Sequence, residues 1–200
     1  MSDSVERFGL YLSRGFLDAG ECARLVEEVS AARGGPATVY RPRAASPVDE
    51  RLRRTTRHML SPETTERVRG LLLRRRDEVA EHFGLTLSDC EDPQFLRYRE
   101  GDFFVAHQDG NTEQLQYDHL RVRRVSVVVF LNRQSAEPAH GAFGGGSLVF
   151  YEPHADTARK ELGAPAPVEP GLLVAFRAET THEVTPVTHG QRFAIVCWYR

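Results

Sequence analysis

The second half of the chain is a succession of short apolar segments separated by turn residues. Six segments rich in β-branched and aromatic residues follow one another, namely 93–99, 102–108, 124–132, 146–152, 171–177 and 192–200. Glycine, proline and asparagine interrupt each run before it reaches the length of an ordinary helix. Short strands in such a series form antiparallel sheets that pack face to face or close on themselves. The pattern therefore predicts a β-sandwich or a closed barrel.

The first half of the chain carries the pattern of two helices. One is predicted between the N-cap residue Asp18 and Gly34. The other is predicted between the N-cap residue Ser61 and Gly84. Between these helices, residues 33–50 are predicted to form a long irregular loop, and loops of that length in compact domains are often functional.

We expect one mainly β domain of the α+β class over residues 1–200. Its helical support lies mainly within 14–84 and its β core mainly within 93–200. A length of 200 residues fits one domain with its own core and does not require a second. The segments 140–147 and 163–171 are dense in glycine and proline, which predicts loops between strands.

Charge and composition exclude several classes of partner. A formal net charge of −2 gives no electrostatic reason to expect nucleic acid or an anionic membrane. The longest apolar run, 125–131, is too short to cross a bilayer, and no signal peptide is visible. Three cysteines without CxxC spacing fit a reducing compartment. We expect a cytoplasmic monomer or homodimer that binds neither nucleic acid nor membrane.

His107 and Asp109 stand at the end of an apolar, aromatic stretch. Alternate residues of a strand share a face, so both side chains can converge on one side. They are either polar residues on a solvated strand edge or two ligands of a metal whose third ligand lies elsewhere. A 2-His-1-carboxylate triad, which leaves open positions on Fe(II), needs one more histidine. Among the eight histidines, His182, seventy-five residues further on (182 − 107), is the best candidate.

Arg192 adds a second indication. It lies ten positions after His182 (192 − 182) and opens the apolar segment 192–200. Burying a guanidinium without a partner is costly, so the side chain needs an anion unless it reaches solvent. A dicarboxylic co-substrate would satisfy it through a bidentate pair, and a carboxylate of the protein would do so as well. The residues alone leave these explanations open.

Five blocks of the chain, taken in order, resemble one known family. They are YREGDFFVAHQD, RRVSVVVFLN, GGGSLVFYEP, VEPGLLVAF and THEVTPVTHGQRFAIVCWYR. Their order is similar to that of the Fe(II)/2-oxoglutarate-dependent dioxygenases, in particular the prolyl 4-hydroxylase group and its small bacterial relatives. The resemblance is strong over 93–200 and weaker before it. It implies a double-stranded β-helix, that is, a jelly-roll or cupin-like barrel, braced by the two helices of the N-terminal half.

The resemblance also implies a catalytic site. His107, Asp109 and His182 would bind Fe(II), and Arg192 would bind the distal carboxylate of 2-oxoglutarate. Tyr98 would donate a hydrogen bond to this co-substrate. O2 would be the oxidant, and ascorbate the reductant that keeps the iron active. Because the carboxylate ligand is retained, hydroxylation is favoured over halogenation, which in related enzymes requires a small residue at that position.

Five residues are candidates for holding the substrate. Trp198 matches a tryptophan that borders the substrate pocket, and Arg123 would help to hold the substrate. For a free amino acid or another small metabolite, Arg41, Arg43 or Arg57 could bind the substrate carboxylate. The segments 36–57 and 110–123 would flank the mouth of the pocket.

One departure from the family also concerns the site. Phe130 stands where the oxygen-sensing enzymes have a tyrosine near the distal carboxylate. The hydrogen bond of that tyrosine must be absent here or come from another group.

Two substrate classes and one non-enzymatic function are open. The resemblance favours hydroxylation of an unactivated C–H bond in a prolyl residue of a peptide or protein. The alternative is a free amino acid or another small metabolite that is hydroxylated, desaturated or cyclised. A more remote alternative is a non-catalytic, cupin-like protein that binds a metal or a small acid. Nucleic-acid demethylases of this superfamily usually carry a second arginine where this chain has Trp198, which argues against that activity.

Overall fold

The structure is a computed structural model and describes residues 3–37, 49–110, 122–152 and 163–200. Its three α-helices are α1 (Asp3–Arg7), α2 (Ala19–Ala31) and α3 (Pro62–Phe83). None of the helices in these residues combines the length and the apolar character that crossing a bilayer requires.

The capping residues explain where the two longer helices begin and end. The Asp18 carboxylate accepts a hydrogen bond from the Glu21 amide at 2.8 Å, and the Ser61 hydroxyl accepts one from the Thr64 amide at 3.1 Å. Gly84 follows α3 in the left-handed conformation, with φ of 62°. Both predicted helices are present, but α2 ends at Ala31, before the predicted stop at Gly34, which begins β2 instead. The sequence did not predict the short α1.

Short strands make up most of the remaining secondary structure in the described residues. In chain order they are β1 (Tyr11–Ser13), β2 (Gly34–Pro36), β3 (Arg53–Arg54), β4 (Thr56–His58), β5 (Gln94–Tyr98), β6 (Phe103–His107), β7 (Val125–Phe130), β8 (Phe143–Gly145), β9 (Leu148–Tyr151), β10 (Ala164–Pro165), β11 (Leu173–Arg177), β12 (Thr181–Val184), β13 (Val187–Gly190) and β14 (Arg192–Tyr199).

These strands form a large sheet, a smaller one and a two-stranded ribbon. The large sheet has the order β1-β11-β7-β14-β5-β4-β2, and the smaller one has the order β10-β9-β12-β6-β3. Strands β13 and β8 form the ribbon. Every pairing between these strands is antiparallel. The mainly antiparallel β architecture with helical support therefore agrees with the predicted fold class.

The loop predictions for 33–50, 140–147 and 163–171 are wrong in part. Each segment contains a short strand, respectively β2, β8 and β10. Glycine and proline are tolerated there because these strands lie at the edges of their sheets or in the ribbon. Their ladder partners β4, β13 and β9 come from other parts of the chain, so local composition does not reveal them.

The large sheet has one face toward the helices and an inner face toward the smaller sheet. On β14, Ile195 and Tyr199 pack with Leu72 of α3 in one core cluster. Ala194, on the opposite side of the same strand, packs with Phe150 of the smaller sheet in a second cluster. This alternation follows from the two-residue period of a strand. It turns Arg192 and Trp198 toward the inner face, where they line a cavity between the sheets.

Gly171 gives a testable prediction about the stability of this fold. Its φ is +77°, and a Cβ atom would lie 1.9 Å from the Leu17 carbonyl oxygen. We expect Gly171→Ala to lower the free energy of unfolding by about 2–4 kcal/mol, because strain and overlap add. Gly9, with φ of +59° and nothing within 4 Å, is the matched control for strain alone. Urea unfolding that gave equal losses for Gly171→Ala and Gly9→Ala would contradict the role of the overlap.

Candidate active site

The predicted metal ligands come from two neighbouring strands of the smaller sheet. His107 is the last residue of β6, and His182 lies on β12 directly opposite it in the ladder. Asp109 follows two residues after His107, and its amide donates to the Ala178 carbonyl at 2.9 Å. His182 lies on a strand of its own, β12, which the sequence did not predict. The ladder register explains how residues far apart in sequence meet.

The three side chains form a compact ligand set. His107 Nε2 lies 3.5 Å from Asp109 Oδ1, and His182 Nε2 lies 3.5 Å from Asp109 Oδ2. One ligand atom from each residue lies within 4.8 Å of the others. Two imidazoles and one carboxylate match the facial triad of non-haem Fe(II) oxygenases. The donor set therefore fits a divalent iron.

Hydrogen bonds fix the tautomer of both histidines. His107 Nδ1 lies 2.8 Å from the Val105 carbonyl oxygen, and His182 Nδ1 lies 2.9 Å from the Thr180 carbonyl oxygen. A carbonyl only accepts, so each Nδ1 carries the proton and each Nε2 presents its lone pair to Asp109. The lone pairs of the two imidazoles and the negative carboxylate repel one another, and a cation bound by all three groups would remove this repulsion.

Burial and neighbouring charge set the protonation states of the ligands. Burial lowers the pKa of His182 to about 4, so this imidazole is neutral near pH 7. Burial alone would raise the pKa of Asp109, but His182 and His107 hold it below its ordinary value. A neutral imidazole and an ionised carboxylate are the forms that bind metal.

Ser126 supports the carboxylate and was missed by the sequence reasoning. Ser126 is the second residue of β7, and its hydroxyl donates to Asp109 Oδ2 at 2.7 Å. Ser126 is only 1% exposed among valines, and a single hydroxyl in a buried strand was the available signal. The bond orients one carboxylate oxygen and leaves the other to face His107.

Ser126→Ala should therefore weaken metal binding. Residues that hydrogen-bond to metal ligands typically contribute about 10–100-fold to metal affinity, and we expect a loss in that range. Anaerobic titration calorimetry with Fe(II) measures it. Ser30→Ala, which removes an exposed hydroxyl on α2 that donates to the Val26 carbonyl, is the control. Equal affinities for the two variants would show that Ser126 does not orient Asp109.

Aromatic rings hold both imidazoles in place. The Phe104 ring stacks on His107, with centroids 3.5 Å apart and planes 18° apart. The Phe176 ring meets His182 edge-on, with centroids 4.6 Å apart. These contacts restrict ring rotation and keep water from the buried side of the ligands.

The predicted site residues that the structure describes lie around one cavity of about 430 Å³. The lining includes the three ligands and the other predicted residues, namely Tyr98, Arg192, Trp198, Arg123 and Arg57. Arg41 and Arg43 lie outside the described residues, as do 38–48 and 111–121 within the two predicted mouth segments.

Arg192 is a buried cation without a protein anion. It is 1% exposed, and its guanidinium lies 5.0 Å from the Tyr98 ring centroid and 5.2 Å from that of Phe130. Burial lowers its pKa. Among the described residues, no carboxylate pairs with it, and its Nε atom has no hydrogen-bond partner. An anionic group of a bound ligand would pair with this guanidinium. Phe130, which stands where related enzymes have a tyrosine, has no hydroxyl to donate to that anion.

Tyr98 and Gly146 shape the space beside this arginine. Tyr98 is 2% exposed and stands opposite Arg192 in the β5–β14 ladder. A Cβ atom on Gly146 would lie 3.1 Å from Arg192 Cδ, so this glycine leaves room for the arginine stem. Among the described residues, the Tyr98 hydroxyl has no hydrogen-bond partner, and it lines the cavity in which a ligand anion would lie.

Arg123, which the sequence suggested as a substrate contact, forms an ion pair within the protein. Its Nε and one terminal nitrogen donate to the two carboxylate oxygens of Glu91 at 2.6 Å and 2.7 Å. Its guanidinium lies 3.7 Å from the Trp198 ring centroid. Glu91 therefore neutralises Arg123, and Arg123 braces Trp198. Nothing in the local sequence around Glu91 signalled this pair, and the substrate role of Arg123 and Trp198 stays a prediction.

A comparison with known families agrees with this geometry. The model of the 2OG-Fe(II) oxygenase superfamily matches residues 93–200, which is more than half of the chain. The chain belongs to the 2OG-Fe(II) oxygenase superfamily. The match spans the cluster of His107, Asp109 and His182 together with Arg192.

Curated relatives of this oxygenase are hydroxylases from bacteria. A PKHD-type hydroxylase of Cupriavidus pinatubonensis is 31% identical over 107 residues, which are 53% of this chain and 41% of the relative. A PKHD-type hydroxylase of Paracoccus denitrificans is 36% identical over 107 residues, with the same coverage. The matched part of the oxygenase thus spans about two fifths of the length of these relatives.

Solved structures resemble the oxygenase over nearly its whole length. A Pseudomonas putida prolyl-4-hydroxylase superposes with a TM-score of 0.69 at 23% identity and covers 99% of this chain and 95% of that one. A Trichoplax adhaerens prolyl hydroxylase, in complex with a hypoxia inducible factor peptide, has a TM-score of 0.69 at 16% identity. It covers 98% of this chain and 86% of that one. These likenesses confirm the predicted jelly-roll fold.

Proposed function

We propose that this chain is an Fe(II)- and 2-oxoglutarate-dependent dioxygenase that hydroxylates an unactivated C–H bond of a prolyl residue in a peptide or protein. The observation that carries the proposal is Arg192, a buried cation without a protein anion in the same cavity as the ligand cluster. A protein that only bound a metal would have no need of a dicarboxylate clamp beside it.

The residues divide the work of the reaction between them. His107, Asp109 and His182 would hold Fe(II), which supplies the activation of O2 with 2-oxoglutarate as the source of electrons. Arg192 would bind the distal carboxylate of 2-oxoglutarate through charge-assisted hydrogen bonds, and Tyr98 would donate to the same co-substrate. Phe104 and the other apolar lining residues reduce the polar surroundings of the buried end of the cavity, where charge-assisted contacts are stronger than in water.

The prolyl substrate is supported by the named relatives. The Pseudomonas putida structure, similar over nearly the full length, is a prolyl-4-hydroxylase, and the Trichoplax adhaerens enzyme is a complex with a peptide. A free amino acid or small metabolite is the second candidate. Arg57, exposed at the cavity without an ion pair to the described residues, favours a substrate that carries a carboxylate.

A coupled assay tests the proposal. The purified chain is incubated with Fe(II), ascorbate and 2-oxoglutarate, first with proline-containing peptides and then with free amino acids. We expect succinate formation that needs Fe(II) and 2-oxoglutarate, and a peptide that gains one oxygen atom by mass spectrometry. No succinate with any substrate, together with no binding of iron, would overturn the enzyme proposal.

Four parts of the proposal rest on sequence and family alone. They are a single domain over residues 1–200, ascorbate as the reductant, a cytoplasmic location, and a monomeric or homodimeric state. Cys22, Cys90 and Cys197 are buried, and no disulfide joins them. Omission of ascorbate from the succinate assay and light scattering on the purified chain test the second and fourth of these parts.

A further inference from the structure

Most of the charged residues that line the cavity are positive. In the described part of the chain, the lining carries a single carboxylate, that of Asp109. Against it stand four guanidinium groups, those of Arg53, Arg57, Arg123 and Arg192. Such an excess of one sign in a concave site attracts ligands of the opposite charge.

Binding of the metal and the co-substrate would not remove this excess. Fe(II) bound by Asp109 leaves one positive charge, and 2-oxoglutarate bound by Arg192 leaves one negative charge. The metal, the co-substrate and these two residues together are therefore neutral. Arg123 is neutralised by Glu91, with both carboxylate oxygens engaged. Arg53 stacks on the Phe104 ring, with its guanidinium carbon 4.7 Å from the ring centroid. Arg53 keeps its charge but is only partly exposed, whereas Arg57 is the one of the four arginines that is exposed to solvent.

Arg57 is placed to meet a ligand that enters from solvent. It lies on β4 opposite Leu96 of β5, which also lines the cavity. Its neighbour His58 turns the other way and is buried, with Nδ1 3.0 Å from the Ala32 carbonyl oxygen. Alternation along the strand therefore directs Arg57 to the inner face. Among the described residues, this exposed side chain has no ion pair or side-chain hydrogen bond.

Arg57 and Arg192 form two separate anion sites. The strands β4 and β14 stand on either side of β5, two strand spacings or about 10 Å apart. Arg192 is fully buried, whereas Arg57 is exposed, so one serves the closed end of the cavity and the other its open end. A carboxylate at Arg57 would therefore belong to a molecule other than the co-substrate.

We propose that Arg57 is a substrate-binding residue that selects a substrate carrying a carboxylate away from the reacting carbon. This inference rests on the proposed dioxygenase function and names its substrate class. In a peptide, the carboxylate is an aspartate or glutamate side chain near the target proline. In a free amino acid, it is the α-carboxylate. The contact is a charge-assisted hydrogen bond that adds to affinity and orients the reacting C–H bond.

Matched substrates test the inference in the succinate assay. Proline peptides with aspartate or glutamate on either side of the target are compared with their asparagine or glutamine counterparts. Free L-proline is compared with its amide in the same way. With the wild-type chain, we expect a KM about five- to ten-fold lower for the acid, because solvent screens part of the interaction. A preference in the peptide pair assigns the carboxylate to an acidic side chain of the peptide. A preference in the proline pair assigns it to the α-carboxylate of a free amino acid.

Charge reversal provides the second arm of the test. In Arg57→Glu, the preference for the acid should disappear, and lysine-containing peptides should become the better substrates. Arg74→Glu, on the exposed surface of α3 and outside the cavity lining, is the matched control and should keep the wild-type preference. Raised ionic strength should reduce the preference of the wild-type chain as well.

The outcomes separate the two proposals. Equal use of acids and amides by the wild-type chain would overturn the anion site and leave the dioxygenase function standing. A preference that survives in Arg57→Glu would assign the anion contact to another residue and overturn this inference. Absence of succinate with every substrate and no binding of iron would overturn the dioxygenase function on which the inference rests.

Discussion

Replacing Asp109 with alanine is expected to abolish 2-oxoglutarate turnover. Asp109 supplies the only anionic ligand of the cluster, and both histidines lie 3.5 Å from its oxygens. Loss of a residue that hydrogen-bonds to a metal ligand already lowers metal affinity by about 10–100-fold. Loss of a direct ligand should therefore lower it by more than about 100-fold. Anaerobic calorimetry with Fe(II) measures the affinity, and succinate formation measures the turnover.

The Asp109 experiment needs a control for folding and for charge. Asp92→Ala removes a carboxylate whose side chain is 72% exposed and should keep both metal binding and turnover. Thermal unfolding of the metal-free proteins shows whether Asp109→Ala still folds. Succinate formation at the wild-type rate in a folded Asp109→Ala protein would refute the assignment of the ligands.

Replacing Arg192 with alanine should raise the requirement for 2-oxoglutarate. Removing one partner of a buried charge pair costs about 2–5 kcal/mol, which corresponds to a rise in KM of roughly 30-fold to several thousand-fold. The apo protein should not lose an ion pair, because no described carboxylate pairs with Arg192. Steady-state succinate formation over a range of 2-oxoglutarate concentrations gives the KM.

A conservative variant separates charge from geometry at Arg192. Arg192→Lys keeps a positive charge but lacks the planar fork that binds a carboxylate through two parallel bonds. We expect a KM between those of the wild type and Arg192→Ala. Iron binding without 2-oxoglutarate should be retained in both variants, since Arg192 belongs to a different part of the cavity. An unchanged KM in Arg192→Ala would mean that another group binds the distal carboxylate.

The sequence was informative where local pattern and local chemistry agree. Asp18 and Ser61 stand at helix starts whose capping bonds the structure contains. His107 and Asp109 have the spacing that places two side chains on one face of a strand. Arg192 opens an apolar strand, and of the explanations that the residues left open, the structure shows a buried guanidinium without an anion from the described residues.

The rest depends on contacts between distant parts of the chain. Glu91 neutralises Arg123 across 32 positions of sequence, and Ser126 supports Asp109 across 17. The strands β2, β8 and β10 arise in glycine- and proline-rich segments because a distant strand pairs with each of them. Such partners follow from sheet register, which local composition does not encode.

The central claim is that one cavity holds Fe(II) and 2-oxoglutarate together. Anaerobic titration of the purified chain with both compounds tests it directly, because a 2-oxo acid chelated to Fe(II) gives a visible absorption that neither gives alone. We predict a saturable absorption at one equivalent of iron, absent in Asp109→Ala and shifted to higher 2-oxoglutarate concentration in Arg192→Ala. No absorption with the wild-type chain, or an unchanged titration in Asp109→Ala, would contradict the claim.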